Sequence, residues 1–349
     1  MEQNLYTSTA LMGTYYALGE VPNFWLTLAF GATITFEEEY VDFGKVAEGR
    51  ELAPLVMPMA EGRPIYDAAE TRARVKPAYV KPRDPVSPAS VIRSRPGLGD
   101  LAAPYNAKMS PQQRFDALVV NIQRQHREAI DRREEWMAAN AILNGSVTLG
   151  DAAYPERVVD FGRSSDHTVV LGSGSRWGDA NVEPLDDLEA WIMQVEGAKF
   201  GGPVTDIVMG TAAAKVFRQN DRVKELLKTD IRNTSGTSLN LGVLTKRVQM
   251  FGMLNANVRL WVYSDYYTIN GVVTPFMDPR DILVFSPNVE GVRCYGAILD
   301  LDANLQAVPV FPKMWKSNDP SALMVMHQSA PLMVPVNPNS TLRARVVAN

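Results

Sequence analysis

The chain has 349 residues, of which 46% are apolar and 21% are charged, a composition typical of globular proteins. Its formal net charge of −4 argues against a protein that coats nucleic acid through many phosphate contacts. A single cysteine, Cys294, excludes an internal disulfide framework and a cysteine-rich zinc site, and it favours a reducing compartment.

The N-terminus carries none of the basic residues that open a secretory signal, since Glu2 is its only early charge. The most apolar run near it is FWLTLAFGA at 24–32, which has about half the length needed to cross a bilayer. We therefore expect a chain that is neither secreted nor inserted into a membrane.

Residues 1–51 carry aromatic side chains, including Phe24 and Trp25, without a sustained helical or strand period. Their charge is lopsided, with eight acids against two bases, and three of the acids are consecutive at Glu37, Glu38 and Glu39. Two interpretations stay open. The segment is either a strand pair joined to the core or an arm whose aromatic side chains dock on another surface.

Residues 52–104 are rich in proline, with nine prolines between positions 54 and 104. Proline removes an amide donor and fixes its backbone angle, so this segment can be neither a helix nor a central strand. A structureless insertion of this length is usually disordered or functional. The stretch from 72 to 95 is also basic, with seven basic residues against one acid. The residues of this stretch that we expect to contact other copies of the chain are Arg72, Arg74, Tyr79, Lys81, Arg83, Arg93 and Arg95.

The opposite charges of these two segments permit pairing between them, either within one chain or between copies. A solvated basic surface is the plainer alternative. Nucleic-acid binding is the weaker interpretation, because aromatic residues are not interleaved at the spacing that base stacking requires.

The clearest predicted element is a helix over residues 110–144, about 50 Å long at ~1.5 Å per residue. Ser110 can cap its N-terminus, and apolar side chains then recur with the three-four spacing of one helix face. Gly145 follows the predicted end and tolerates the left-handed geometry of a C-cap. His126 falls on the apolar stripe, which favours a packed core histidine over a ligand.

The rest of the sequence alternates short strands with helices, which indicates an α+β body. A helix is predicted over 184–197, with acids in its first turn. A buried strand at 206–210 precedes a helix that Thr211 is expected to cap and that breaks near Asn220. Asn270-Gly271 predicts a hairpin turn. Further strands are predicted at 156–162, 167–171, 246–251, 258–264, 282–286, 292–299 and 329–336.

The sequence contains no catalytic motif. The glycines of GSGSRWG at 172–178 are one residue off the dinucleotide fingerprint, and no helical period follows them. A nucleophile elbow and a phosphate loop are absent, and the histidines at 126, 167 and 327 are far apart in sequence. We therefore predict no enzyme, no cofactor and no metal site.

Two pairs of carboxylates have ordinary structural explanations. Asp186 and Asp187 suit a helix N-terminus, where acids are favourable. Asp300 and Asp302 are expected on one face of a strand, where exposed polarity is a commoner cause than cation binding. Cys294 is expected to be a buried, inert thiol within an apolar strand.

Eight short motifs run in the same order along most of the chain and are weak singly but specific together. They are LYTSTAL at 5–11, AYVKP at 78–82, the long helix ending in LNG, VDFGRS at 159–164, DDLEAW at 186–191, NGVVTPFMDPRDILVF at 270–285, GVRCYGAILDLDA at 291–303 and QSAPLMV at 328–334. In these motifs the chain resembles the major capsid proteins of phage lambda and its relatives, the coat proteins of tailed phages.

The resemblance implies the tailed-phage capsid fold, in which axial domains meet at the centre of each hexamer or pentamer. It implies these parts of the chain: an N-terminal arm at 1–51, an extended loop over a neighbouring subunit at 52–104, a peripheral domain at 105–189 with the spine helix 110–144, an axial domain at 190–310, and a return to the peripheral domain at 311–349.

The resemblance also implies a function. The chain would assemble as hexamers and pentamers into an icosahedral procapsid in the bacterial host cytoplasm, and the shell would expand as double-stranded DNA enters. Expected partners are other copies, a scaffolding protein, a portal and a decoration protein, with DNA enclosed but not bound sequence-specifically. The alternative is the shell of a cellular nanocompartment with the same fold. An α/β enzyme is a more distant rival.

Contacts between subunits are expected from both oppositely charged segments. We hypothesise that Glu37, Glu38 and Glu39 pair across subunits with Arg72, Arg74, Lys81 and Arg83. Some relatives weld the shell by joining a loop lysine to an asparagine of a neighbour, for which Lys76 and Lys81 are the candidates. The lambda-like branch relies on decoration proteins instead, so no covalent crosslink is expected.

Overall fold

The structure is a computed structural model and describes residues 6–18, 23–38, 40–44, 72–88, 110–151, 154–230, 238–239, 247–254, 257–269, 271–303, 308–319 and 321–348. Its helices are α1 (Ser8–Ala17), α2 (Phe24–Ala29), α3 (Pro111–Asn144), α4 (Pro184–Gly197), α5 (Thr211–Gln219) and α6 (Asp221–Asp230). Among the described residues, no helix combines the length and apolar character that crossing a membrane requires.

The strands are short and lie mainly in the second half of the chain. In chain order they are β1 (Phe30–Thr35), β2 (Val41–Gly44), β3 (Arg72–Val75), β4 (Arg83–Val86), β5 (Ser146–Asp151), β6 (Tyr154–Asp160), β7 (Thr168–Val170), β8 (Asp206–Gly210), β9 (Ser238–Leu239), β10 (Val248–Leu254), β11 (Val258–Tyr263), β12 (Tyr266–Ile269), β13 (Val272–Pro275), β14 (Asp281–Phe285), β15 (Gly291–Tyr295), β16 (Phe311–Ser317), β17 (Ala322–Gln328), β18 (Pro331–Pro335) and β19 (Thr341–Arg345).

The long helix α3 forms as the sequence predicts. The Ser110 side chain accepts a hydrogen bond from the Gln113 amide while the Gln113 side chain accepts one from the Ser110 amide, a reciprocal capping box. At the other end Gly145 has φ +67°, so the left-handed C-cap is confirmed. The C-terminal half of α3 packs against α2 and against the sheet β1-β15-β18, and this contact is the first hydrophobic core.

A mixed seven-stranded sheet, in the order β7-β19-β14-β8-β11-β10-β9, holds the second core. Its central strands β8 and β14 are buried at every position, as expected for strands covered on both faces. Helices α4 and α5 contribute Leu188 and Phe217 to this core, and both side chains are fully buried. The buried strand predicted at 206–210 is confirmed.

Four smaller groups of strands complete the described part of the fold, and one of them is the pair β12-β13. The sheet β16-β17-β4 brings a strand of the proline-rich segment against the C-terminal part of the chain. In that sheet β4 is an edge strand, which is where a strand containing Pro85 is tolerated. The pairs β2-β3 and β5-β6 contribute Val41, Val75, Val147 and Leu149 to the first core.

Several boundaries differ from the sequence predictions. Helix α5 begins at Thr211, but Gly210 is its N-cap and no side chain caps it, so the predicted cap by Thr211 is wrong. The helix does end before Asn220. The strand predicted over 292–299 ends at Tyr295. Asp300 and Asp302 lie beyond it in a turn, and both carboxylates form ion pairs with Lys313. The expectation that these two acids share a strand face is therefore wrong.

Residues 1–51 contain two helices that the sequence interpretation did not predict, in addition to strands.

The hairpin predicted at 270–271 is confirmed, since β12 and β13 pair as antiparallel strands with Gly271 at φ +79°. The final strand, β19, lies in the seven-stranded sheet beside β7 rather than in the sheets around α3. The division of the chain into domains stays a prediction.

Candidate functional site

Buried polar side chains of α3 hold both the N-terminal segment and the proline-rich segment of the chain. We call this region the arm–loop junction and define it by His126, Arg127 and Glu135 of α3 together with the groups they bind. All three side chains are buried. Buried polar groups are costly unless they are hydrogen-bonded. The partners of these three side chains therefore indicate which segments of the chain the junction holds.

Glu135 caps helix α2 from outside that helix. Its carboxylate accepts hydrogen bonds from the amides of Trp25, at 2.8 Å, and Leu26, at 3.0 Å. The N-cap residue of α2, Asn23, makes no side-chain cap of its own. A carboxylate is favourable at this position because helix N-termini present free amides and a partial positive charge. Burial raises the pKa of Glu135 to about 7, although these backbone hydrogen bonds oppose the rise.

Arg127 binds the C-terminal end of helix α1. Its guanidinium donates to the carbonyl oxygens of Tyr15 and Leu18, where α1 ends, and it lies 5.0 Å from the centre of the Tyr15 ring. A cation suits the C-terminus of a helix for the reason that an acid suits the N-terminus. Thus α3 places a base at the C-terminal end of α1 and an acid at the N-terminal end of α2. Each of these helix ends therefore faces the charge that the helix dipole favours.

His126 links α3 to the proline-rich segment and to β17. Its Nε2 lies 2.9 Å from Asp84 Oδ2 in β4, and its Nδ1 lies 2.8 Å from Nδ1 of His327. With Asp84 ionised, Nε2 of His126 carries the proton and Nδ1 accepts one from His327. Nε2 of His327 is then a buried acceptor, and it has no hydrogen-bond partner in the described part of the chain. Burial, with His126 beside it, lowers the pKa of His327 to about 3.

A polar cavity of about 340 Å³ lies between the arm helices and α3. Glu134 lines it and accepts a hydrogen bond of 3.0 Å from the Tyr295 hydroxyl, while burial raises its pKa to about 7. Within the described ranges, no group of three or more histidine, cysteine or acidic side chains is placed to hold a metal ion. The buried polar groups around α3 therefore hold chain segments that are distant in sequence.

Two of the three predicted aromatic contact residues, Phe24 and Trp25, pack in or against the first core. Trp25 is 0% exposed, and its ring packs 5.0 Å from Tyr263. Phe24 is half-buried against Trp25, Trp261 and Tyr263. Trp25 therefore contributes to the first core, and its expected role in a contact between subunits stays a prediction.

The predicted acidic and basic residues come together partly within one chain. The antiparallel pair β2-β3 places the two segments side by side, and Arg74 forms an ion pair of 2.6 Å with Glu38. The Arg74 guanidinium also lies 4.9 Å from the Tyr40 ring centre. This ion pair lies within the subunit, and pairing of the two segments across subunits stays a prediction. Glu37 is exposed.

The remaining predicted contact residues lie at the base of the proline-rich segment or outside the described residues. Tyr79 is half-buried, and its hydroxyl donates to the carbonyl of Ala297 at 2.6 Å. Lys81 is exposed with its ammonium 4.7 Å from the Tyr79 ring centre, and Arg83 is exposed in β4. Arg72 is described only as backbone of β3. Residues outside the described ranges are Glu39, Arg93 and Arg95.

Sequence reasoning missed the residues that make the junction. Arg127, Glu134 and Glu135 fall in phase with the buried stripe of α3, and charges on an apolar stripe were a usable signal. His126 was correctly predicted to be buried. Its partner His327 lies 201 positions away and gave no local signal. Cys294 is buried as predicted, and burial raises its pKa to about 12.

Comparisons with known proteins place these features in a family. The model of the family described as phage major capsid protein E matches residues 7–346. The major capsid protein of Escherichia phage lambda is 29% identical over 345 residues, covering 96% of this chain and 97% of that protein. That of Escherichia phage N15 is 28% identical, covering 98% and 99%. A prophage capsid protein of E. coli CFT073 superposes with a TM-score of 0.71 at 22% identity, covering 98% and 99%, and shares the fold.

Proposed function

The chain belongs to the phage major capsid protein E family, and from that premise we propose that it assembles as hexamers and pentamers into the icosahedral phage head. The shell encloses double-stranded DNA and expands on maturation. The observation that carries this proposal is the family match from residue 7 to residue 346, since it covers the arm, the loop, α3 and both cores. The chain is thus a structural coat protein that associates with copies of itself.

The arm–loop junction supports a shell function for a physical reason. Segments that exchange contacts during expansion need attachments that break as discrete units, and hydrogen bonds to a few buried groups provide them. Arg127 and Glu135 attach the arm helices, and His126 attaches β4 at the base of the loop. Most of the proposed extended loop, 52–71 and 89–104, lies outside the described residues.

The net charge of −4 also supports the enclosure of DNA without adhesion to it. A basic lining would bind the packaged DNA through counterion release and would resist its ejection. We further propose that a scaffolding protein, a portal and a decoration protein act with the shell, that assembly takes place in the host cytoplasm, and that no covalent crosslink joins the subunits.

Expression of the chain with and without its scaffolding protein tests the proposal. Negative-stain microscopy should reveal closed particles, and particles from infected cells should contain nuclease-protected DNA. Boiled particles on a denaturing gel should give one band near 38.5 kDa, whereas a ladder would contradict the absence of crosslinks. Particles that hold a cargo enzyme instead of DNA would favour the nanocompartment alternative.

Charge pairing between subunits is tested by reversing the acids of the arm. We expect the triple change of Glu37, Glu38 and Glu39 to lysine to lower the yield of particles. The matched control is Glu38→Gln alone, because it removes the ion pair to Arg74 within the subunit and leaves the other two acids intact. Unchanged yield from the triple variant would refute pairing across subunits.

A further inference from the structure

A turn that displays two leucines suggests how one subunit contacts the next. We propose that this turn, the leucine knob (Leu299, Leu301 and Asp302), docks into a groove of a second copy of the chain. The groove lies between α3 and the hairpin β12-β13, and we call it the arginine groove. This inference rests on the proposed function, because it assigns a contact by which copies associate.

The knob exposes apolar surface to an unusual degree. Leu301 is 86% exposed, the largest value for any large apolar side chain in the described part of the chain, and Leu299 is 51% exposed. The Asp302 carboxylate lies beside them and is also largely exposed. Single exposed apolar residues are ordinary, but two in one short turn, with an acid at the edge, form the pattern of an anchor with a polar rim.

The knob is braced from below by polar contacts. The Tyr79 hydroxyl donates to the carbonyl of Ala297 at 2.6 Å and accepts from the amide of Leu299 at 3.1 Å. Asp300, between the two leucines, accepts from Lys313 at 2.9 Å and from Gln328 at 2.7 Å. These contacts fix the turn before any partner arrives.

This turn differs from an ordinary connecting turn in which of its side chains face water. A connecting turn usually presents its polar residues to water, whereas here the polar side chain at 300 points to the subunit and leucines point away. Lys313 also pairs with Asp302 at 2.6 Å, so both ends of the turn are held. A fixed display of this kind lowers the entropy cost of docking.

The arginine groove has complementary features. It is a cavity of about 230 Å³ lined by Arg132, Arg133 and Trp136 of α3 and by Tyr267 and Ile269 of β12. The Arg133 guanidinium lies 5.4 Å from the Trp136 ring centre. The hairpin that forms one wall exposes Ile269 along with other apolar side chains. The groove therefore offers apolar surface with a basic rim, which matches leucines beside an acid.

The knob does not occupy the groove of its own subunit. None of the knob residues lines the groove, and both leucines of the knob are exposed in the described part of the chain. A contact between two different surfaces of identical subunits is heterologous, and such contacts close into rings when the rotation permits. Docking of knob into groove is thus suited to the rings of a shell.

Paired cysteines test this contact directly in assembled particles. The chain is favourable for this because its only native cysteine, Cys294, is buried. We expect particles that combine Leu301→Cys with Ile269→Cys to give disulfide-linked dimers and higher multimers on a non-reducing gel after mild oxidation. Each single variant should stay monomeric on the gel, and co-assembly of the two single variants should give dimers only. Val170→Cys with Ile269→Cys is the matched control, since Val170 is 69% exposed on β7.

The outcomes separate this inference from the proposed function. Normal particles of the double variant without a crosslink above the Val170 control would overturn the knob-to-groove contact and leave the shell function intact. A crosslink from Ile269→Cys to a different virion protein would overturn it as well, because another partner would occupy the groove. Failure of the unmodified chain to form particles under any condition would overturn the shell function itself.

A charged knob gives the second readout. Leu301→Asp should fold with an unchanged thermal midpoint, because this side chain is exposed, and it should lower the particle yield at least tenfold. Val170→Asp, the matched exposed position, should assemble like the unmodified chain. Particle yield from Leu301→Asp equal to that of the Val170 variant would overturn the proposal.

Discussion

The arm–loop junction and the seven-stranded sheet hold their parts together with opposite chemistry. In the sheet, Ile207, Val208 and Leu283 are fully buried among apolar neighbours, and the contact energy is spread over many atoms. At the junction, Arg127 and Glu135 add a handful of directional bonds at one end of each arm helix, while Trp25 of α2 is also buried in the first core. Many dispersed contacts keep the sheet together as one body, whereas a few strong bonds can break together. We therefore expect the sheet to move as a rigid body and the arm to open locally at the junction.

The largest expected effect is on the sheet side of this comparison. Phe217→Ala removes a fully buried ring. The centre of this ring lies 5.8 Å from the ring centre of Trp177 and 6.3 Å from that of Phe251. We expect the free energy of unfolding to fall by about 3–5 kcal/mol, since the change loses both transfer energy and packing. Chemical denaturation of the unassembled subunit measures it. A loss below about 1 kcal/mol, similar to that of an exposed substitution, would show that this core does not control global stability.

The junction should respond locally to a change of intermediate size. Glu135→Ala leaves the amides of Trp25 and Leu26 without their acceptor, which costs about 1–3 kcal/mol. We expect faster hydrogen exchange at the start of α2 and earlier proteolysis of the arm, with little change in the seven-stranded sheet. Glu128→Ala, an exposed acid on the same helix, is the control. Equal acceleration of exchange in both regions would contradict the idea that the arm detaches independently.

How far the sequence determines each region follows from where its signals lie. Helix α3 was predictable because the cap at Ser110, the apolar period and Gly145 are all local. Local signals were missing at the C-terminal end of α1 and the N-terminal end of α2, because the groups that satisfy these two ends are Arg127 and Glu135, more than 100 positions away. The same holds for the pairing of His126 with His327. Oppositely charged segments were visible in the sequence, but whether Glu38 meets Arg74 within a chain depended on the pairing of β2 with β3.

The pH dependence of stability distinguishes the buried groups of the junction by sign. The pKa of His327 is lowered to about 3 from 6.5, so its neutral form is favoured in the folded state and stability is lost as the pH falls below 6.5. The pKa values of Glu134 and Glu135 are raised to about 7 from 4.5, so their contribution is fully present below pH 4.5 and lost as the pH rises through 7. The two effects oppose each other between about pH 6.5 and pH 4.5.

Replacing both acids isolates the histidine. In the variant Glu134→Gln with Glu135→Gln, we expect the free energy of unfolding to fall by up to about 2 kcal/mol between pH 6.5 and pH 5, because the opposing contribution is gone. Urea titrations across this range, compared with the unmodified chain, measure the difference in slope. Parallel pH profiles for the two proteins would contradict the assigned signs.

The smallest expected effect concerns the exposed ion pair between the two charged segments. Both Glu38 and Arg74 are more than half exposed, so Glu38→Gln should change the free energy of unfolding by roughly 0–1 kcal/mol. Adding salt should reduce even that difference, because exposed charges are screened. Thermal denaturation at low and high ionic strength measures both quantities. A loss of several kcal/mol that salt does not affect would place this pair with the buried contacts of the junction instead of with the solvated surface.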